Sequence, residues 1–252
     1  MIDKDYWLNL HLEEGKPSEI ICPKCGKGRI NILGDFSKRK TKYTIEMEEH
    51  QCFYEEVWEE KFSALLICDK EYCNDVVAVC GTAVPERIDD DEENSNSCCF
   101  ECFNPEYFSP ALKIFPLKNE YPSEVNKILE KSFSLFFADS DSCGNKIRIS
   151  VEVLLDELGV EKKKGERLDD RIRNNKKTNE YIIELLLSIK WIGNYGSHDD
   201  SISKSDLLDA YEMMNAILDD LFDNHAKKLS ELSKTINENK MPASKIIRLG
   251  NC

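Results

Sequence analysis

Two constellations in this chain carry side chains able to do chemistry. The first is made of cysteines: Cys22-Pro-Lys-Cys25 with Gly26 behind it, and Cys68-Asp-Lys-Glu-Tyr-Cys73. A tight turn aims both thiolates of a pair at one ion, and nearby backbone amides stabilise their charge. Two such pairs, each at the end of an expected strand, close a tetrahedral four-thiolate zinc site with Zn–S distances of about 2.3 Å. With no open coordination position, one structural zinc per chain stabilises the fold and does no chemistry. The second constellation is Lys190-Trp-Ile-Gly-Asn-Tyr-Gly-Ser-His198, which closes the apolar run 181–189. Residues four apart share a helix face, so Lys190, Asn194 and His198 form a ladder of a cation, an amide and an imidazole. Gly193 and Gly196 lie between its rungs, where Ala would be about 1 kcal/mol better at each site. They point to close approach of another backbone or to a break in the helix. The competing reading is a helix that frays here, with Asn194 and His198 as polar C-terminal residues.

The chain has 11 cysteines, an odd number, and the opening residues 1–7 lack the basic-then-apolar pattern of a secretory signal. This argues for metal ligation over a disulfide framework. His50 and Cys52 are reserve ligands. Cys99 and Cys102 make a further CxxC beside Cys98, but Cys143 is distant and Cys252 terminal, so buried or idle thiols are expected there.

The elements that must hold these groups follow from periodicity. Residues 1–19 read as a short amphipathic arm, and residues 20–103 as a zinc-ribbon β-module. Within the module, residues 42–54 are expected to add hairpin strands, and the acidic run 88–97 has the composition of a solvated loop. Residues 104–121, spaced by prolines and anchored by aromatics, form an extended connector. From Pro122 the pattern is helical. One helix carries Val125, Ile128, Leu129, Phe133 and Phe136 on one face. A second runs from about Cys143 to Leu158, stops at Gly159, and spaces Arg148 and Glu152 for an ion pair. A short helix around Leu168 and Ile172 precedes the ladder helix. Ser203 and Asp206 then resemble a capping box opening a long helix to Phe222, with Met213 and Met214 in or near the core. Residues 122–224 are thus a helical bundle, and residues 225–252 a helical extension with a polar tail. The fold class expected is α+β.

A net charge of −14 argues against nucleic acid binding over the whole surface. The charge is uneven, however. Residues 22–42 carry seven basic side chains against Asp35 alone, and residues 162–177 eight against three acidic ones. Those are the two places where an anionic ligand can land. With 41% hydrophobic residues, a mean hydropathy of −0.49 and no apolar run long enough for a bilayer, a soluble cytoplasmic protein without membrane contact is expected.

Taken together, these features resemble a bacterial helical domain of unknown function, often preceded by a zinc ribbon or fused to restriction-enzyme subunits, and counted among HEPN-like folds. The resemblance rests on the four cysteines, the 107–116 connector, the Pro122-Ser-Glu-Val helix start, Arg148 with Glu152, residues 165–172 and Ile192-Gly-Asn-Tyr-Gly-Ser-His198. It implies a HEPN-like bundle, a homodimer through that bundle, and a role in restriction, toxin–antitoxin or antiviral defence systems. Active members of that class are metal-independent ribonucleases, in which an Arg with a following polar residue precedes a His. By this resemblance His198 matches the histidine and Asn194 the polar position, while Gly193 stands where Arg is expected. Lys190 offers only a point charge in its place. The expectation is a non-catalytic or weakly active module that binds a partner protein or nucleic acid. The alternative is a homodimeric ribonuclease in which His198 is general acid or base, Asn194 positions phosphate and Lys190 stabilises charge.

Overall fold

The computed structural model describes residues 1–49, 58–88, 98–195, 201–222 and 225–242. The chain opens with a short helix, α1 (Lys4–Leu8), capped by Asp3, whose carboxylate accepts from the Tyr6 amide. Four strands follow as an antiparallel meander in the order β1-β2-β3-β4: β1 (Ile30–Lys40), β2 (Glu60–Cys68), β3 (Val76–Ile88) and β4 (Cys98–Ser109). Alternation sets which face is buried. Phe62, Ala64 and Leu66 of β2 point inward with Val77 and Val79 of β3, while Leu65 and Val76 stay exposed. Phe36 stacks on Phe103 at 3.8 Å, with the Phe62 ring edge-on to both.

Two expectations need correction. Residues 42–48 are not a hairpin strand but a helix, α2 (Lys42–Glu48). Thr41 caps it by accepting from the Thr44 amide. The buried Thr44 hydroxyl in turn donates to the Glu59 carbonyl and accepts from the Glu59 amide, both at 2.8 Å. That side-chain pairing replaces a ladder and overrides the β-leaning composition of Tyr43-Thr-Ile45. Similarly, the extended connector begins later than expected, because residues 104–109 belong to β4 and pair with residues 78–82 of β3. Pro105 sits opposite Gly81 at a bulge on this terminal strand, where a missing donor is tolerated. Residues 50–54 of the expected second strand, with His50 and Cys52, lie outside the described residues, as does most of the acidic run.

Helices fill the second half: α3 (Ser123–Phe133), α4 (Ser140–Glu157), α5 (Leu168–Arg173), α6 (Glu180–Tyr195), α7 (Lys204–Phe222) and α8 (His225–Asn239). Asp139 caps α4, and Gly159 at φ +69° ends it. Ser203 and Asp206 bond reciprocally, each side chain to the other's amide, as a capping box. Met214 is fully buried and Met213 partly so.

Sheet and helices share one continuous apolar core, running from Trp7 to Leu218. Trp7 of α1 meets Phe136 and Phe137 beyond α3, and Phe108 of β4 packs on Phe137. Lys4 pairs with Asp209 of α7, and Lys118 and Tyr121 both bond Asp219. The arm and connector thus tie the two halves together.

Candidate metal centre and the polar helix end

The turn 22–25 is held by its own backbone. The Gly26 amide donates to the Cys22 carbonyl, the Cys22 amide to the Gly28 carbonyl, and Gly26 takes φ +63°. Cys68 ends β2, where its amide donates to the Asp75 carbonyl and so closes the second turn. Asp69 locks the turns together by accepting from the Arg29 amide at 3.0 Å. Gly28 makes room for the meeting, since a Cβ there would lie 2.5 Å from Cys68 Sγ. The Gly28 amide donates to Cys25 Sγ at 3.3 Å.

These constraints bring Cys22, Cys25, Cys68 and Cys73 together, with all four sulfurs within 4.8 Å of one another. Cys22–Cys73 and Cys25–Cys68 are each 3.8 Å apart. A tetrahedron with metal–sulfur bonds of about 2.3 Å has edges of about 3.8 Å, whereas a disulfide requires about 2.05 Å. The spacing therefore fits thiolates around one ion. Backbone donation from Gly28 and Lys27 lowers the Cys25 thiol to about 6, while burial pushes Cys68 up to about 12. A cation supplies the charge that allows the buried thiol to ionise. An ion held by all four sulfurs would have no tetrahedral position left for substrate.

The remaining described thiols are dispersed. Cys143 is buried between Tyr211 Oη at 3.1 Å and the Ser132 carbonyl at 3.3 Å. Cys102 is buried near Asn104, and Cys80 is exposed on the sheet.

Of the three residues of the polar ladder, Lys190 and Asn194 lie among the described residues. Lys190 is buried and bonds Asp169 of α5 at 3.0 Å, with Nζ 3.2 Å from the Trp191 ring centroid. Arg173 and then Lys190 hold the Asp169 carboxyl below the usual carboxylate range. Asn194 is half-buried one turn on, and His198 lies outside the described residues. At Gly193 the close approach is real: a Cβ there would lie 2.6 Å from Arg148 Cβ and 2.7 Å from the Gly144 carbonyl oxygen. Helices α4 and α6 cross on this pair of glycines. Gly144 had no sequence signal of its own, because one half of a two-glycine crossing looks like any helical glycine.

Arg148 bonds Glu152 at 2.7 Å and Asn145 at 3.1 Å. Three of the eight basic residues in the 162–177 run are tied into the fold: Arg171 is buried on Asp156 and the Val160 carbonyl, Lys162 pairs with Glu152 and Arg173 with Asp169.

Residues 130–239 match the model of a family described as a domain of unknown function, DUF4145, and residues 10–108 match a second such family, DUF8608. No curated protein and no solved structure matches the chain.

Proposed function

We propose that this chain is a non-catalytic binding module in which a zinc-stapled β-module docks on a HEPN-like helical bundle. Its setting is the defence system implied by the resemblance, and its role is to hold a partner rather than turn over a substrate. The observation that carries this reading is the crossing at Gly193. The position where the resemblance expects an arginine has no room for any side chain, and the neighbouring cation, Lys190, is spent on Asp169. A phosphorane-like transition state would find neither charge free at these two positions. Zinc is the ion proposed for the four-thiolate centre, on the strength of its all-sulfur donor set and tetrahedral spacing. For the homodimer, support comes from α6, where Tyr181, Trp191 and Tyr195 lie along one exposed stripe.

One observation favours the ribonuclease reading instead. The stem of Arg148 lies against Gly193, so α4 brings an arginine beside the helix turn that precedes His198, with its guanidinium on Glu152 and Asn145. The deciding experiment is cleavage of labelled single-stranded RNA by purified protein, beside Arg148→Ala and His198→Ala. The binding-module reading expects no cleavage above background from any of the three. Cleavage by the native chain that is lost in both variants would replace it with the ribonuclease reading.

A further inference from the structure

Six of the fifteen basic residues in the two rich runs are ion-paired among the described residues, Lys162 and Arg171 among them. Lys38 pairs with Glu101, Lys40 with Glu48, Lys42 with Glu46 and Arg173 with Asp169. One place gathers lysines from separate segments around a single cavity. An open cleft of about 740 Å³ lies between the 22–25 turn, the connector after β4 and helix α3. Four lysines line it: Lys24 from the turn, Lys113 from the connector, and Lys127 and Lys131 one turn apart on α3. Lys24, Lys113 and Lys131 have no ion pair among the described residues, and Lys127 pairs only with the exposed Glu124.

This chain has 48 acidic residues against 34 Lys and Arg, so carboxylates to neutralise a lysine cluster are plentiful. Among the acidic side chains of the described residues, only Asp75 and Glu130 line the cleft. Four ammonium groups around one cavity repel each other, and an anion between them relieves that repulsion. The metal centre does not account for all of them, because a zinc tetrathiolate carries a formal charge of about −2. The floor is apolar, formed by Pro23, Pro110, Ala111 and Phe133. A second cavity shares Pro23, Lys24 and Lys113 and continues past the turn toward Trp7 and Phe115.

We propose that this cleft binds the phosphate groups of a nucleotide or short oligonucleotide, with the lysines as donors and the apolar floor beneath the base or sugar. The inference rests on the binding-module reading and gives it a surface and a ligand chemistry. Lysine is a flexible point-charge donor suited to phosphate oxygens. A ligand confined to the cleft feels the local charge, since fields are screened beyond about 8 Å at physiological salt. A long duplex would instead run over the rest of a surface whose net charge is −14.

The test uses full-length, zinc-loaded protein and two probes: a fluorescent nucleoside triphosphate, and labelled single-stranded DNA of about ten nucleotides, which no ribonuclease cuts. Binding is followed by anisotropy for the native chain, Lys127→Ala/Lys131→Ala, and Lys176→Ala/Lys177→Ala. The last removes the same charge from exposed sites away from the cleft. Saturable binding of either probe, weakened at least about tenfold by the α3 pair and retained in the control pair, is the expected result. Which probe binds identifies free nucleotide or strand as the source. No saturable binding of either probe up to about 1 mM, or loss no greater in the α3 pair than in the control, overturns the proposal. Because RNA cleavage is measured separately, a failed binding reading and a failed cleft are told apart.

Discussion

Gly193 shows how one residue can decide what a helix end is able to do. A methyl group there meets Arg148 Cβ at 2.6 Å and the Gly144 carbonyl at 2.7 Å, and neither neighbour is the free end of a side chain. Gly193→Ala should therefore destabilise by about 1–3 kcal/mol by overpacking, even though Ala is the better helix former. At Gly144 a Cβ meets mainly the Ile202 Cδ1 tip, which can turn aside, so Gly144→Ala should cost less. Thermal unfolding of the two variants orders them, and a Gly193→Ala protein as stable as the native one would refute the crossing. Asp169 is the other informative residue, because Arg173 and buried Lys190 both lower its carboxyl. Its folded-state value is thus below the unfolded one, so its contribution is complete above the ordinary value of about 3.9. It is lost as pH falls through the folded value. Asp169→Asn should lower the melting temperature at pH 7 more than Asp170→Asn does, with the difference shrinking toward acid. A difference that grew in acid would have the wrong sign.

Among the elements, the two cysteine turns are the part most legible in the sequence, because each pair sets its own geometry within a few residues. What spacing did not reveal is how the pairs meet. That depends on β2 delivering Cys68 opposite Ile30 and on the space left by Gly28. Cys22→Ser removes one of the four sulfurs of the candidate metal centre proposed to hold zinc. It should release about one zinc per chain and lower the thermal stability of the β-module. Unchanged metal content would mean that the ligand set is wrong. Helix α2 was the least legible element. Its Tyr43-Thr-Ile45 composition suits a strand, and only the buried Thr44 hydroxyl, bonded to both backbone groups of Glu59, shows why it is helical. A sequence-distant partner of that kind leaves no periodic trace.

At the scale of the whole molecule, the common core makes the two halves one folding unit. Trp7 is 8% exposed and packs edge-on to Phe136. Trp7→Ala should cost about 3–5 kcal/mol and split a single cooperative thermal transition into two. A single transition at an unchanged temperature would show that the arm is not what joins the halves. By itself, the sequence determined the local matters: the thiolate pairs, the capping box at Ser203, the stop at Gly159 and the Arg148–Glu152 spacing. Each depends on residues no more than a few positions apart. Only the tertiary structure decided that Lys190 turns to Asp169, that Gly193 is closed by α4, and that lysines from three separate segments surround one cleft. These outcomes depend on helices and strands distant in the chain meeting at contact range, where a single methyl or charge changes the result, and periodicity carries no record of such meetings.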